Sequence, residues 1–183
     1  MRQLSSRWGW LAIAFYAIHG GRHLATGHPA DALWACHLGA LLVGVGWLRS
    51  SSLVNAIGCL WLAMGNVLWG IDLAAGGEFL LTSLLTHLGG LVLGAVGIVR
   101  LGMPRLAWLW SIASFLALQL VCRWTTPLEL NVNLSHVVPA GWETRFPSYV
   151  GYQGVLLAIG AASFAGIEFA ARRWLRRAGR AEG

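Results

Sequence analysis

The chain has 183 residues, of which 57% are hydrophobic and only 11% are charged. Ordinary globular proteins are roughly 45–50% apolar and about 25% charged, so this composition excludes a soluble globular enzyme. Intrinsic disorder is excluded as well, because it requires low hydrophobicity together with high net charge. The remaining class is an integral membrane protein, and we expect an all-α fold.

The positive charge of the chain comes entirely from arginine. All 13 residues in the Lys+Arg total are arginine, and the absence of lysine excludes Schiff-base chemistry and a phosphate-binding P-loop. The formal net charge is +6, and an arginine-rich tail covers residues 172–183. A basic segment beside an apolar chain is typical of an anchor on anionic lipids, so we expect membrane lipids as partners and no nucleic acid.

Apolar segments recur along the whole chain. A bilayer core of about 30 Å requires about 20 apolar residues for each helix that crosses it. Six segments are predicted as transmembrane helices on this basis: 8–25, 32–49, 53–71, 79–99, 105–123 and 149–171. We therefore expect a polytopic protein of six transmembrane helices, forming a single membrane domain over residues 1–183.

The arginines also predict the orientation of the helices. If the six helices alternate in direction, ten of the 13 arginines fall on one side of the membrane. The other side receives only Arg22, Arg123 and Arg145. Because positive charge is concentrated on the cytoplasmic side of membrane proteins, we expect both termini in the cytoplasm and the protein in the bacterial inner membrane.

The connection between the fifth and sixth segments is much longer than the others. It covers residues 124–148 and is rich in tryptophan and proline. A simple link between two helices needs fewer residues than this. We expect the segment to cap the outer surface of the membrane, with its aromatic rings at headgroup level.

An internal repeat relates the first four segments. The stretch HLGALLVG beginning at His37 recurs as HLGGLVLG beginning at His87, an offset of 50 residues. This predicts a duplicated helical hairpin over residues 8–49 and 58–99, the alternative being chance similarity of Leu- and Gly-rich segments. Each copy has small residues four apart, which allow helices to pack closely in lipid. We expect a four-helix bundle with the second and fourth helices near its centre and the last two beside it.

Histidine is the unusual residue of the predicted helices. Counting from the outer helix ends at about 1.5 Å per residue, His19, His37 and His87 lie at a similar depth in the outer third of the bilayer. Polar residues in hydrocarbon are costly and usually face the bundle interior or water. The pattern predicts a polar cavity open to the outer side. The alternative is an interhelical hydrogen bond for His37 and His87, and a hydrated helix end for His19 with His23. The three cysteines are expected to be small core residues.

Further residues belong to the same predicted cavity. His19 and His23 are four residues apart on one helix face, a spacing that allows both imidazoles to bind one metal ion. His136 lies in the long outer connection, which we expect to fold into the mouth of the cavity. The predicted metal ligands are His19, His23, His37, His87 and His136. The residues expected to support them are Tyr16, Asn66, Asp72, Gln119 and Gln153.

Two kinds of cofactor suit such a cavity. Three histidines around a transition metal (Zn, Fe or Cu) would leave a position for water, which predicts a membrane hydrolase or oxidoreductase acting on a lipid or lipid-soluble substrate. Alternatively, His37 and His87 would bind haem b from opposite sides and form an electron-transfer subunit. Outside the enzymes, a small transporter or a structural subunit of a larger membrane complex fits the same features.

Overall fold

The fold is a bundle of helices. The computed structural model describes the backbone of residues 2–181 and the side chains of residues 6–178, and this part of the chain contains no β-strand. The six long helices are α1 (Arg2–Ala25), α2 (Ala35–Arg49), α3 (Ser52–Ala74), α4 (Leu81–Leu101), α5 (Ala107–Thr125) and α6 (Tyr149–Ala181). Each corresponds to one of the six predicted apolar segments. The end of the predicted tail (182–183) and the side chains of Arg2 and Arg180 lie outside the described residues.

Four of these helices, α3 to α6, are long and apolar enough to cross a membrane. Helix α2 is apolar but has only 15 residues, which is about 22 Å of helix and less than the thickness of a bilayer core. Helix α1 is longer, but arginine and histidine residues interrupt its apolar stretch at both ends. The structure is thus that of a helical protein suited to a membrane, while six spans, their orientation and the bacterial inner membrane remain predictions.

Polar side chains define where two of the helices begin. The Ser51 hydroxyl accepts a hydrogen bond from the Val54 amide at 3.3 Å and caps α3, directly after the tight turn that ends α2. The buried Glu168 carboxylate of α6 accepts from the amides of Leu106 and Trp108 at 3.1 Å each. A carboxylate at a helix N-terminus satisfies free amides and is favoured by the helix dipole. Glu168 therefore holds α6 against the start of α5.

Helices α1 to α4 form the central bundle, in which α2 and α4 contact each other and each also contacts α1 and α3. Glycines bring the helix backbones together. A Cβ atom added to Gly44 of α2 would lie 2.8 Å from the carbonyl oxygen of Gly9 in α1, and one added to Gly58 of α3 would lie 2.5 Å from that of Gly39 in α2. Small residues at such crossings are the usual basis of close helix packing in lipid. Helices α5 and α6 pack against each other and against α3.

One pair of contacts has the spacing of the predicted repeat. Gly44 of α2 lies against Gly9 of α1, and Gly94 of α4 lies against Cys59 of α3, where an added Cβ would be 3.0 Å from the cysteine Cβ. The two contacts are 50 residues apart along the chain, as are His37 and His87. The duplication itself, with its hairpins over 8–49 and 58–99, remains a prediction.

The connection between α5 and α6 packs onto the bundle. It contains two short 3₁₀ turns, Leu128–Leu130 and Val132–Leu134. The Asn133 side chain accepts from the Ala35 amide and donates to the Leu33 carbonyl oxygen, both at 2.8 Å. These bonds satisfy free backbone groups at the beginning of α2. The connection therefore fixes the end of the helix that carries His37.

Candidate metal centre

Three imidazoles converge at one end of the central bundle. His19 and His23 lie one turn apart on α1, and His37 lies in the first turn of α2. The Nε2 atom of His19 is 3.2 Å from that of His37 and 3.3 Å from that of His23. The helical spacing of four residues puts the first two rings on one face. The crossing of α1 with α2 brings the third ring to them.

The opposite nitrogen of each ring lies near an oxygen atom. His37 Nδ1 donates to the Asp31 carbonyl oxygen at 2.8 Å, and His23 Nδ1 is 3.8 Å from the Asp31 carboxylate. His19 Nδ1 is 3.0 Å from the Thr82 hydroxyl of α4. In metal-binding histidines the second ring nitrogen typically donates a hydrogen bond to an oxygen atom. This bond fixes the tautomer and orients the other nitrogen toward the metal. The arrangement turns all three Nε2 atoms inward.

The tautomers of the three rings limit which of these contacts can be hydrogen bonds. A ring nitrogen carries either a proton or a lone pair. Because His37 uses Nδ1 as the donor to a carbonyl, its Nε2 carries a lone pair in the neutral ring. His19 Nε2 then contacts two neighbouring nitrogens with at most one proton. A His19 Nε2–H group that donates to its neighbours, or a cation bound by all three nitrogens, would account for these contacts.

The cluster is buried but has one accessible side. His19 is 2% exposed and His37 is 6% exposed, whereas the side chain of His23 is 14% exposed and that of Asp31 is 29% exposed. The two exposed side chains lie at the end of the bundle where the connection from α1 to α2 passes. An ion or a water molecule would therefore reach the cluster past His23.

A fourth imidazole lies beside His37. His87 of α4 is 2% exposed, and its ring centroid is 5.3 Å from that of His37. Its Nδ1 lies 2.9 Å from the carbonyl oxygen of Ser83, and its ring stacks on Trp69 of α3 at 4.9 Å. His87 belongs to a π-helical turn, Leu85–Gly89, and such turns occur frequently at functional sites.

Two sets of side chains have ligand atoms close enough to share a metal ion. The atoms of each set lie within 4.8 Å of one another. The first set is His19, His23 and His37, and the second is Cys36, His37 and His87. The structure thus brings together four of the five histidines predicted as metal ligands.

The fifth, His136, lies elsewhere, together with two of the predicted supporting residues. Its Nε2 atom is 3.2 Å from the Thr126 hydroxyl at the end of α5. The Gln119 side chain donates to the Asn133 carbonyl oxygen at 2.8 Å and to the Gln153 side chain at 3.2 Å. The structure places these three residues in the contacts that hold the α5–α6 connection, because that connection folds onto the end of α2 and not between the imidazoles.

The other predicted supporting residues have different roles. Tyr16 is half-buried on α1. Asp72 is exposed near the end of α3 and belongs to neither ligand set. Asn66 lies at the level of the second set. Its amide nitrogen donates to the carbonyl oxygens of Leu62 at 2.8 Å and His87 at 3.1 Å, which ties α3 to the π-helical turn of α4.

Sequence reasoning did not identify several residues around the imidazoles: Cys36, Trp69, Thr82 and Ser83. The predicted repeat offered a signal for Trp69, which lies 50 residues after His19. The His19 ring contacts His37, and the Trp69 ring contacts His87, which is 50 residues after His37. Cys36 was expected to be a core residue, but it precedes His37 and lies beside His87 as well. Comparisons with known protein families, curated proteins and solved structures find no match.

Proposed function

We propose that His19, His23 and His37 bind one transition-metal ion. Zinc–nitrogen bonds of about 2.0–2.1 Å in a tetrahedral site separate the nitrogens by roughly 3.3–3.4 Å. Two of the three Nε2 separations of the cluster, 3.2 and 3.3 Å, match this spacing, and the ligand atoms of His23 and His37 lie within 4.8 Å of each other. This agreement is the observation on which the proposal rests.

The ligand type favours Zn²⁺ among the candidate ions. Neutral imidazole suits zinc, copper and iron, and sites in which zinc supports catalysis have three protein ligands and one open position. When bound in that way, zinc lowers the pKa of its water to about 7 and supplies hydroxide near neutral pH. The partly exposed His23 and Asp31 would form the side from which this water arrives.

We further propose a lipid-soluble substrate, because an apolar groove lies next to the cluster. The groove is a shallow, open depression of about 290 Å³ between α1 and α4, and it is lined by Leu11, Phe15, Leu88, Gly89, Val92 and Leu93. Phe15 lies one turn before His19, and Gly89 lies two residues after His87. Leu88 and Val92 are exposed, so the groove opens on the side that would face lipid. These features support a metal-dependent membrane enzyme.

Packing between α2 and α4 makes a haem b ligated by His37 and His87 the less favoured cofactor. The two rings are nearly perpendicular, and His19 occupies the other side of His37 at a ring distance of 4.4 Å. One turn further along, a Cβ added to Gly90 would lie 3.1 Å from the Cβ of Ala40. A porphyrin between the two histidines would have to separate helices that are in contact there.

Metal analysis of the purified protein tests the proposal. The full chain, extracted in a mild detergent, is expected to contain one zinc ion per chain, and the variant His37→Ala is expected to contain none. His28→Ala is the matched control, because His28 is an exposed histidine of the neighbouring connection that belongs to neither ligand set. Wild-type protein that binds no metal, or His37→Ala protein that keeps its metal, would refute the proposal.

A further inference from the structure

We propose that Cys36, His37 and His87 form a second, inner position for a metal ion, selective for a soft cation such as Cu(I). This inference goes beyond the proposed zinc site, with which it shares only His37. A thiolate with two imidazoles is a ligand set typical of copper, and thiolate ligands select soft ions generally. The zinc site, by contrast, has imidazole ligands only.

The distances within the inner set are close to those of a three-coordinate site. The three ligand atoms lie within 4.8 Å of one another. With metal–nitrogen bonds of about 2.0 Å and a metal–sulfur bond of about 2.3 Å, a trigonal ion separates its ligand atoms by roughly 3.5–3.7 Å. Binding therefore requires these atoms to approach by at most about 1.3 Å, which a small adjustment of the side chains would provide.

His87 has the orientation that a ligand needs. Its Nδ1 atom is within hydrogen-bond distance of the Ser83 carbonyl oxygen, which accepts only, so in the neutral ring the Nε2 atom carries the lone pair. Stacking on Trp69, with the two planes 9° apart, restricts rotation of the imidazole. Asn66 donates to the His87 carbonyl oxygen and holds the backbone of the π-helical turn. These contacts fix the ring in advance of metal binding.

Cys36 lies in a recess that α3 provides. A Cβ added to Gly65 of α3 would overlap the Cβ of Cys36, so the absence of a side chain at Gly65 makes room for the cysteine. Without metal, Cys36 is a free thiol. On binding, the S–H bond breaks, sulfur donates a lone pair to the cation, and the proton is released to solvent.

Both metal positions require His37, so only one of them can have all three of its ligands at a time. Its Nδ1 is bonded to the Asp31 carbonyl oxygen, so it offers one coordinating nitrogen, Nε2. An ion arriving past the partly exposed His23 would meet the imidazole position first and the buried position of His87 and Cys36 second. The two positions are therefore fully liganded one at a time, and the thiolate favours binding of a soft ion at the inner position.

X-ray absorption of the Cu(I)-loaded protein tests the inner position directly. Full-length protein in detergent receives one equivalent of Cu(I), kept reduced by ascorbate. We expect a sulfur atom in the first coordination sphere of copper. Cys36→Ser should remove this sulfur and weaken Cu(I) binding by about tenfold or more, while Zn²⁺ binding stays unchanged. Cys59→Ala is the matched control, because Cys59 is a buried thiol outside both ligand sets.

The outcomes separate the inner position from the zinc site. Copper surrounded only by nitrogen in the wild-type protein would overturn the inference, as would equal loss of Cu(I) affinity in the Cys36→Ser and Cys59→Ala variants. If Cys36→Ser does not fold, His87→Ala provides the second test, since copper should keep its sulfur ligand and lose affinity. If the protein does not bind Zn²⁺ but binds copper through sulfur, the proposed function is refuted and the inference of the inner position holds.

Discussion

The Thr82 hydroxyl offers a sensitive test of the outer metal site, because it contacts a proposed ligand without being one. It lies 3.0 Å from Nδ1 of His19, and Thr82→Val removes it while conserving the shape of the side chain. A buried N–H group left without a partner costs about 1–3 kcal/mol. Loss of an outer hydrogen-bond partner typically weakens metal binding by about 10–100-fold, which corresponds to roughly 1.4–2.8 kcal/mol and agrees with that cost. We expect Zn²⁺ affinity to fall within this range.

Competition with a chromophoric chelator measures this change. The matched control is Thr86→Val, the same substitution one turn along α4, where the lost hydroxyl donates to the backbone carbonyls of Phe15 and Thr82 at 3.0 Å each. The control loses hydrogen bonds but contacts no imidazole through its hydroxyl. Wild-type Zn²⁺ affinity in Thr82→Val, or an equal loss in both variants, would refute the role assigned to Thr82 and to the tautomer of His19.

Three further predictions concern proton competition, helix packing and the α5–α6 connection. Because metal-bound imidazoles must be unprotonated, Zn²⁺ affinity should fall once the pH is low enough to protonate these buried rings; chelator competition that gives the same affinity at neutral and at strongly acidic pH would argue against histidine ligands. Gly58→Ala should lower the thermal unfolding temperature in detergent, since its Cβ would meet the Gly39 carbonyl oxygen at 2.5 Å. Gly70→Ala should not, because an added Cβ there has no neighbour within 4 Å among the described residues apart from its own helix backbone. Equal melting of the two variants would count against the close crossing. Asn133→Ala removes both bonds to the start of α2 and should cost about 1–3 kcal/mol, with faster proteolysis of the connection; unchanged cleavage would show that other contacts hold it.

The sequence predicted those features of the fold that depend on local signals. The six helices lie where the apolar segments lie, because helix length in a bilayer and apolar run length are directly related. The pairing of His19 with His23 follows from the helical repeat alone. Close packing of α2 with its neighbours followed from small residues four apart. The start of α2 was predicted three residues too early, because Ala32 and Leu33 are apolar yet belong to the separate 3₁₀ turn Pro29–Leu33.

The rest of the site depends on contacts between distant parts of the chain. His37 meets His19 because of the way α1 and α2 are rotated about their own axes. No local sequence pattern specifies that rotation. His136 was predicted as a ligand, but left-handed backbone at Asn131 and Asn133 turns the connection onto α2 and leaves that histidine beside α5. The contact of Cys36 with α3 was not predictable for a similar reason, because the recess at Gly65 is visible only when α2 and α3 are packed.

The shortness of α2 has a consequence for the surrounding bilayer. A helix of 15 residues covers about 22 Å, so if α2 spans the membrane as predicted, a hydrocarbon layer of about 30 Å would extend beyond it. Irregular backbone at that depth is tolerated only where protein buries it or water reaches it, and the connections before α2 and after α5 meet there. Hydrophobic mismatch of this kind favours a locally thinned bilayer. Metal exchange should therefore respond to acyl-chain length in reconstituted vesicles, being faster in thin membranes than in thick ones.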